Sequence, residues 1–394
     1  MPGDLHNHST CSDGSVPIYR LPILAARAGL DAMALSDHDT LRSAQYAYDH
    51  PVQDGVRLIP ATELTGYDYE RHHRVHLLAY WPDLESPALR RHCDIMRRRR
   101  NECGLQSARE IEKLYPQFCT EQALEYTKDS GVLYKSGIMQ ALCELGLAEG
   151  VYGEVYHYLF GWNPRGVVLH SPEYLPVREV LATAKAAGAC VVFAHPTVYS
   201  SMPLLRELVK EGAVDGIEVE HPSNSPEDKA ECAALCARYG LIHTGGSDFH
   251  GSNHKHPHPV GSCITDDEQI ARIEEVARKR KVYYTRGCNT MKLRPGQAAQ
   301  REKERFYTMS KSFSFPNVGT CSKQTNIVLN DDHTIESIEV VGGCNGNLKG
   351  ISRLLKGMKA EDAIQRMEGT TCGPRPTSCP DQIAKNLKKA LAEL

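Results

Sequence analysis

Short apolar runs recur along the first 250 residues, and each leads into a polar residue able to hold a metal ion or carry a proton. Leu30 to Leu35 reads as a strand running on to His38, Val56 to Pro60 leads to Glu63, Ala189 to Phe193 leads to His195, and Leu241 to Gly245 leads to Asp248. Polar residues at the carboxyl ends of successive buried strands are what an α/β barrel presents at its catalytic face. At the start of the chain His6 and His8 are two apart, which on a strand places both imidazoles on one face and Leu5 and Asn7 on the other. Asp248 and His250 repeat that spacing.

Between His76 and His195 the pattern turns helical. Leu89, Cys93 and Met96 form one apolar stripe and Ile111 and Leu114 another, with Arg97, Arg98, Arg99 and Arg100 between them. The pattern predicts a helical insertion over about residues 85–165 that caps the barrel mouth. Its arginine run is either a solvated helix face or a phosphate clamp, and helical periodicity lets only one or two of the four point inward. Near residue 290 the register changes again: residues 291–304 are charged, contain Pro295-Gly296 and read as a linker. Beyond it Gln324 to Leu329 and Ile335 to Val341 alternate as two strands joined by a turn at 330–333. Leu348, Ile351, Leu354, Leu355 and Met358, then Ile383, Leu387 and Leu391, follow helical spacing, so residues 305–394 predict a small α+β module with its own core.

Composition narrows the class. The chain has 394 residues, more than one typical domain, with 41% apolar residues and a net charge of -3, which describes a globular protein and announces no binding of duplex DNA. No run approaches the roughly 18 apolar residues of a membrane span, and the N-terminus is polar within a few positions, so a cytoplasmic location without a membrane partner is expected. The 14 cysteines lie mostly in apolar segments, which suits buried thiols better than a disulfide framework; Cys232 and Cys236 share a helix face and read as core.

A single His or Asp after a strand is usually a satisfied loop residue. The ordered set His6, His8, Asp13, His38, Glu63, His76, His195, Asp248 and His250 does not fit that reading. Imidazole with carboxylate suits Zn, Mn and Fe, and two such ions about 3.5 to 4 Å apart lower the pKa of a water to near 7 and neutralise oxygen charge in a transition state. The chemistry predicted is hydrolysis of an ester or amide by a metal-held hydroxide.

The motifs Asp4 to Ser9, Ser12-Asp13-Gly14, Ser36 to Thr40, the Glu63 segment, Val75 to Leu78, Ala194-His195-Pro196 and Ser247 to His250 resemble those of the PHP (polymerase and histidinol phosphatase) superfamily over residues 1–290. The likeness is to its stand-alone phosphoesterases, which hydrolyse nucleoside 3',5'-bisphosphates and trim short RNA. It implies a distorted seven-stranded β/α barrel with up to three divalent ions. His6, His8, Glu63 and Asp248 would bind the first, Glu63, His76 and His195 the second, and Asp13, His38 and His250 the third. Asp4, Asp37 and Asp39 have neighbours that suit carboxylates orienting the imidazoles, or ordinary loop caps. Related phosphoesterases place basic insertion residues over the substrate, but their motif near Lys135-Ser136-Gly137 usually carries Arg and His, so this chain departs from their pattern there and the resemblance does not fix its substrate.

His221 ends another apolar segment and is expected to contact substrate or donate a proton. Cys321, Cys344, Cys372 and Cys379 lie in segments that resemble the TSCPD domain; each stands beside Gly or Pro or at an element boundary, and they either close a structural Zn site or remain buried or redox thiols. The leading reading is a metal-dependent phosphoesterase acting on a nucleotide or short oligonucleotide. Amide or lactone hydrolysis, and a histidinol-phosphate type of activity, are the alternatives. A metal-stabilised binding module is the third and fits least, because a scaffold has no need of an exchangeable water.

Overall fold

The computed structural model describes residues 2–287, 310–330, 333–373 and 375–393, and the chain divides into two compact units, Met1–Thr290 and Met291–Leu394. The expected linker at 291–304 lies outside the described residues.

One sheet organises the first unit: β1 (Gly3–Asp4), β2 (Ala32–Leu35), β3 (Val52–Gln53), β4 (Val56–Asp68), β5 (His73–Tyr80), β6 (Leu175–Pro176), β7 (Cys190–Phe193), β8 (Gly216–Glu220) and β9 (Ile242–Gly245). Seven strands follow one another in the order β1-β2-β4-β5-β7-β8-β9, with β3 and β6 paired to β4. Neighbours on that path are parallel except β5, which is antiparallel to both β4 and β7. The sheet curls until β1 meets the end of β9, where Leu5 N–H donates to the Gly245 carbonyl at 3.3 Å and Asn7 bridges Phe249. The result is a nearly closed, distorted seven-stranded β/α barrel.

Strand alternation divides the core. Ala34, Ile59, Ala61, Leu78, Tyr80 and Val192 form a buried cluster with Ile270 and Ile273 of the helix Asp267–Gly287, while Leu64, Val75, Leu77, Val191 and Phe193 pack with the helices Val177–Ala186 and Met202–Lys210. Each fully buried Leu or Ile is worth about 1.5 to 3 kcal/mol, so these clusters hold the strand ends that carry the polar residues.

Between β5 and β6 lie four helices: Pro87–Leu114, Thr120–Leu124, Lys135–Glu144 and Glu154–Phe160. The two predicted apolar stripes belong to one continuous helix of 28 residues, in which Leu89, Cys93, Met96 and Ile111 are buried and Leu114 is exposed. Arginine is a good helix former, so the basic run continues the helix instead of dividing it.

In the second unit the strands Ser310–Pro316, Ser322–Asn330 and Ile335–Gly342 form an antiparallel sheet in that order, followed by the helices Asn345–Leu355, Ala360–Met367 and Cys379–Ala392. Ile327, Leu329, Ile335, Ile383, Ala384 and Leu387 are its buried centre. Its first strand and middle helix go beyond the two strands and two helical segments read from the sequence: Phe313 and Phe315 contribute partly buried aromatics from a segment otherwise rich in serine. Among the described residues no helix is long and apolar enough to cross a membrane.

Candidate metal centre

The strand ends bring all nine expected metal-binding residues together. Glu63 lies in the middle of β4 rather than beyond it, fully buried, with His76 on the neighbouring β5. Its Oε1 lies 3.3 Å from His6 Nε2, 2.8 Å from His76 Nδ1 and 2.9 Å from His195 Nε2. Its Oε2 lies 3.3 Å from His8 Nε2 and 2.9 Å from His38 Nδ1. Asp248 Oδ1 lies 3.3 Å from His6 Nε2 and 3.2 Å from His8 Nε2. Asp13 Oδ1 is 3.4 Å from His250 Nε2 and 3.9 Å from His38 Nε2. His38 therefore stands between two groups, facing Asp13 with one ring nitrogen and Glu63 with the other.

The contacts fit cations better than protons. His6 and His8 bring their Nε2 atoms to 3.1 Å of one another, and donor atoms 2.0 to 2.2 Å from one ion stand at about that separation. Glu63 Oε2 and His38 Nδ1 are 2.9 Å apart, yet both are buried without a hydrogen-bond partner, as are Asp13 Oδ1, His76 Nε2 and His195 Nδ1. Buried polar atoms are ordinarily paired. Burial alone would raise the pKa of Glu63, but His76, His38 and His6 hold it well below the usual carboxylate range. Asp248 is likewise pulled well down against burial by His6 and His250. The donor set thus fits divalent metal ions. Asp248 also adopts a left-handed backbone, φ 52°, a strained conformation of the kind that concentrates at functional sites.

Glu218 was not singled out from the sequence. It is buried in β8; its Oε1 accepts from His6 Nδ1 at 2.9 Å and its Oε2 from the His195 backbone N–H at 2.9 Å. It fixes the His6 ring so that Nε2 faces the cluster. Asp4, Asp37 and Asp39 make no direct hydrogen bond to the ring of an expected ligand, although Asp37 reaches His8 through Ser12, whose Oγ stands 3.4 Å from His8 Nδ1. Asp4 accepts from the backbone N–H groups of His6, Ser247 and Gly261, Asp37 holds Ser9 and Ser12, and Asp39 pairs with Arg100 and His92. Replacing Glu218 by Gln is expected to lower metal affinity about 10- to 100-fold, measured by chelator competition, while Glu220→Gln on the half-exposed face leaves it unchanged. Equal affinity in both variants would remove Glu218 from the account.

His221 also stands elsewhere than expected. Its Nδ1 accepts from the Ser223 N–H at 3.0 Å, which turns Nε2 toward Asp248 Oδ2 at 3.4 Å. The ring is buried and is not among the residues lining the cavity, and its contact with Asp248 suits it to position that carboxylate.

That cavity, about 280 Å³, opens over the cluster. Asp13, His38, Glu63, His76, His195, Asp248 and His250 lie at its barrel side, and Arg100, Tyr134, Lys135, Tyr152 and Trp162 face them from the insertion. Of the four arginines only Arg100 lines it; Asp39 braces its guanidinium at 2.7 Å. Arg97 lies near Asp94, Arg98 is exposed beside Glu102, and Arg99 pairs with Glu173, so the helix turns these three away. Arg74 also lines the cavity, its guanidinium 4.7 Å from the Tyr199 ring centre. Lys135 stands 5.8 Å from the Trp162 ring, and burial, with Arg74 and Arg100 nearby, pulls its pKa down to about 8.

In the second unit the four candidate zinc cysteines do not close a site. Cys321 and Cys379 bring their sulfurs to 3.7 Å, but among the described residues the groups able to hold a metal all lie in the barrel. Cys344 caps the helix that follows the Gly342-Gly343 turn, and Cys372 sits in a separate turn bridged to Arg375.

A barrel mouth that shares one carboxylate among five imidazoles, beneath a wall of cations, defines a metal-dependent phosphoester hydrolase. The PHP domain model matches residues 4–159 and the TSCPD domain model residues 301–391. A phosphoribosyl 1,2-cyclic phosphate 1,2-diphosphodiesterase of Eggerthella lenta is 35% identical over 256 residues, covering 65% of this chain and 96% of that protein. The chain belongs to the PHP family. It is also 27% identical over 252 residues to a 3',5'-nucleoside bisphosphate phosphatase of Chromobacterium violaceum, covering 63% of this chain and 86% of that one. The crystal structure of a proposed metal-dependent phosphoesterase from Bifidobacterium adolescentis superposes with a TM-score of 0.62 at 26% identity, covering 70% of this chain and 96% of the other.

Proposed function

We propose that the protein hydrolyses a phosphate ester on ribose, in a nucleotide or at the end of a short oligonucleotide, with two or three ions of Mn, Fe or Zn. His6, His8, Glu63 and Asp248 would hold one, Glu63, His76 and His195 another, and Asp13, His38 and His250 a third. The observation that carries this reading is the shared Glu63 carboxylate on one side of a cavity and Arg74, Arg100 and Lys135 on the other. Bound ions would supply a water of lowered pKa and positive charge for the phosphoryl oxygens.

The chain's own residues do the rest. Asp248 and Glu63 balance the charge of the histidines and hold them in register. Among the described residues neither Arg74 nor Lys135 is ion-paired with a carboxylate, so both are available to an anion. Asp39 pre-orients Arg100 by accepting from its Nε and Nη2, and the residue lines the cavity. Two similar proteins act on molecules with a common plan: a phosphoribosyl cyclic phosphate and a nucleoside bisphosphate each carry a phosphate that reacts and a second one on the same ribose. Cations set apart from the metal-binding residues suit the second phosphate. Amide or lactone hydrolysis gives them no task.

A charged hydrogen bond to phosphate is worth roughly 1.5 to 3 kcal/mol. Arg74→Ala and Lys135→Ala are therefore expected to raise KM for a nucleoside 3',5'-bisphosphate by about tenfold or more, with little effect on a nucleoside monophosphate. Arg98→Ala should match the parent on both. Lysine loses its charge above its pKa, so KM for the bisphosphate should climb as pH rises through about 8, and Lys135→Arg should flatten that rise. Metal analysis followed by a screen of phosphate esters for release of inorganic phosphate tests the assignment. Turnover of amides or lactones with none of phosphate esters would overturn it.

A further inference from the structure

Among the described residues, Cys321 and Cys379 are the cysteine pair whose sulfurs are in contact, at 3.7 Å across 58 positions of sequence. Cys321 lies in the turn just before the strand Ser322–Asn330 and is exposed; Cys379 is the first residue of the helix Cys379–Ala392 and is partly exposed. A disulfide needs its sulfurs at about 2.05 Å, so closure asks for a movement of about 1.7 Å, within the reach of side-chain rotation at a partly solvated site. Nothing in the barrel's chemistry uses these thiols.

The two sulfurs are not equivalent. Cys379 lies in the first turn of its helix, where Ser378 caps by accepting from the Asp381 N–H, and Ser322 Oγ donates to Cys379 Sγ at 3.2 Å. A helix N-terminus and a hydroxyl donor both favour thiolate over thiol. Burial works against this, but the hydrogen bond from Ser322 leaves the Cys379 thiol below its usual pKa, whereas the contact with Cys379 pushes Cys321 up. Cys379 is thus the sulfur poised to attack and Cys321 the one that remains protonated beside it.

We propose that Cys321 and Cys379 form a redox-active dithiol that undergoes exchange with an external disulfide. The Cys379 thiolate attacks one sulfur of the disulfide, forming a mixed disulfide and expelling one thiolate, which takes up a proton. Cys321 then gives up its proton and attacks Cys379 Sγ, forming the Cys321–Cys379 bond and releasing the second thiol. Two protein thiols and one disulfide become one protein disulfide and two free thiols, so the protein is oxidised and the external disulfide reduced.

The test uses the reduced full-length protein, equilibrated with mixtures of reduced and oxidised glutathione, quenched by alkylation and mapped by peptide mass spectrometry. The expected result is a Cys321–Cys379 linkage that forms and reverses with the glutathione ratio and persists in Cys344→Ser and Cys372→Ser. Cys321→Ser should instead accumulate glutathione on Cys379. At pH 7 Cys379 should alkylate about tenfold faster than Cys344 or Cys372 of the same chain. Two free thiols at 321 and 379 across the whole series, or a linkage of Cys321 to Cys344, would overturn the proposal. So would alkylation of Cys379 no faster than that of the exposed Cys344 and Cys372.

Discussion

Replacing Glu63 by alanine is expected to strip the protein of metal and lower kcat by at least about a hundredfold. The argument rests on what the carboxylate touches: five ring nitrogens, from His6, His8, His38, His76 and His195, lie within 3.3 Å of its two oxygens. On the proposed assignment its removal would take a ligand from more than one ion at once, and it leaves buried imidazoles without their counter-charge. Glu63→Gln keeps the volume, so its loss of activity reports charge and donor type separately from packing. Metal content by elemental analysis, kcat on a nucleoside bisphosphate and a thermal melt separate the outcomes. A folded Glu63→Ala protein with full turnover would sink the shared-carboxylate model.

The residues expected to bind metal could be singled out because ligand chemistry restricts residue type, and the structure brings most of them together in groups able to hold an ion. What escaped reading was register. Glu218 and Glu220 stand two apart around Val219, yet the irregular pairing of β8 with β9 separates them, so Glu218 is buried against His6 while Glu220 is half-exposed. Arg74 was not singled out, although it is two residues from His76 on β5 and so shares its face. Arg100 could have been picked out of its run, since it follows buried Met96 by four positions on one helix. The direction of the His221 ring depends on a backbone donor, Ser223, that no side-chain pattern announces. In the second unit the cysteine positions left four zinc ligands and separate thiols equally open, because convergence is a property of the turns, and those turns bring Cys321 to Cys379 while setting Cys372 in a turn of its own.

The second large effect is expected at a residue with no functional group. Gly246 reads as half of an ordinary glycine pair, but a Cβ added there would lie 2.3 Å from His6 Cβ and 2.7 Å from His6 N. Neither atom is the free end of a flexible side chain, so the backbone must give. The segment is held on both sides, by Gly246 N–H to the Glu220 carbonyl at 3.0 Å and by Ser247 N–H to Asp4 Oδ1 at 3.0 Å. Any displacement therefore moves His6 relative to Asp248, two of the residues proposed to share one ion. Overpacking of this kind costs about 1 to 3 kcal/mol of stability, and a shift of about 1 Å in a catalytic group is enough for a loss of about a hundredfold. Gly246→Ala is expected to unfold cooperatively at a lower temperature and to lose both metal affinity and kcat. Gly150→Ala, where an added Cβ meets nothing within 4 Å, should change neither. Parental metal affinity and turnover in Gly246→Ala would show that the close approach of Gly246 to His6 does not set the geometry of the site.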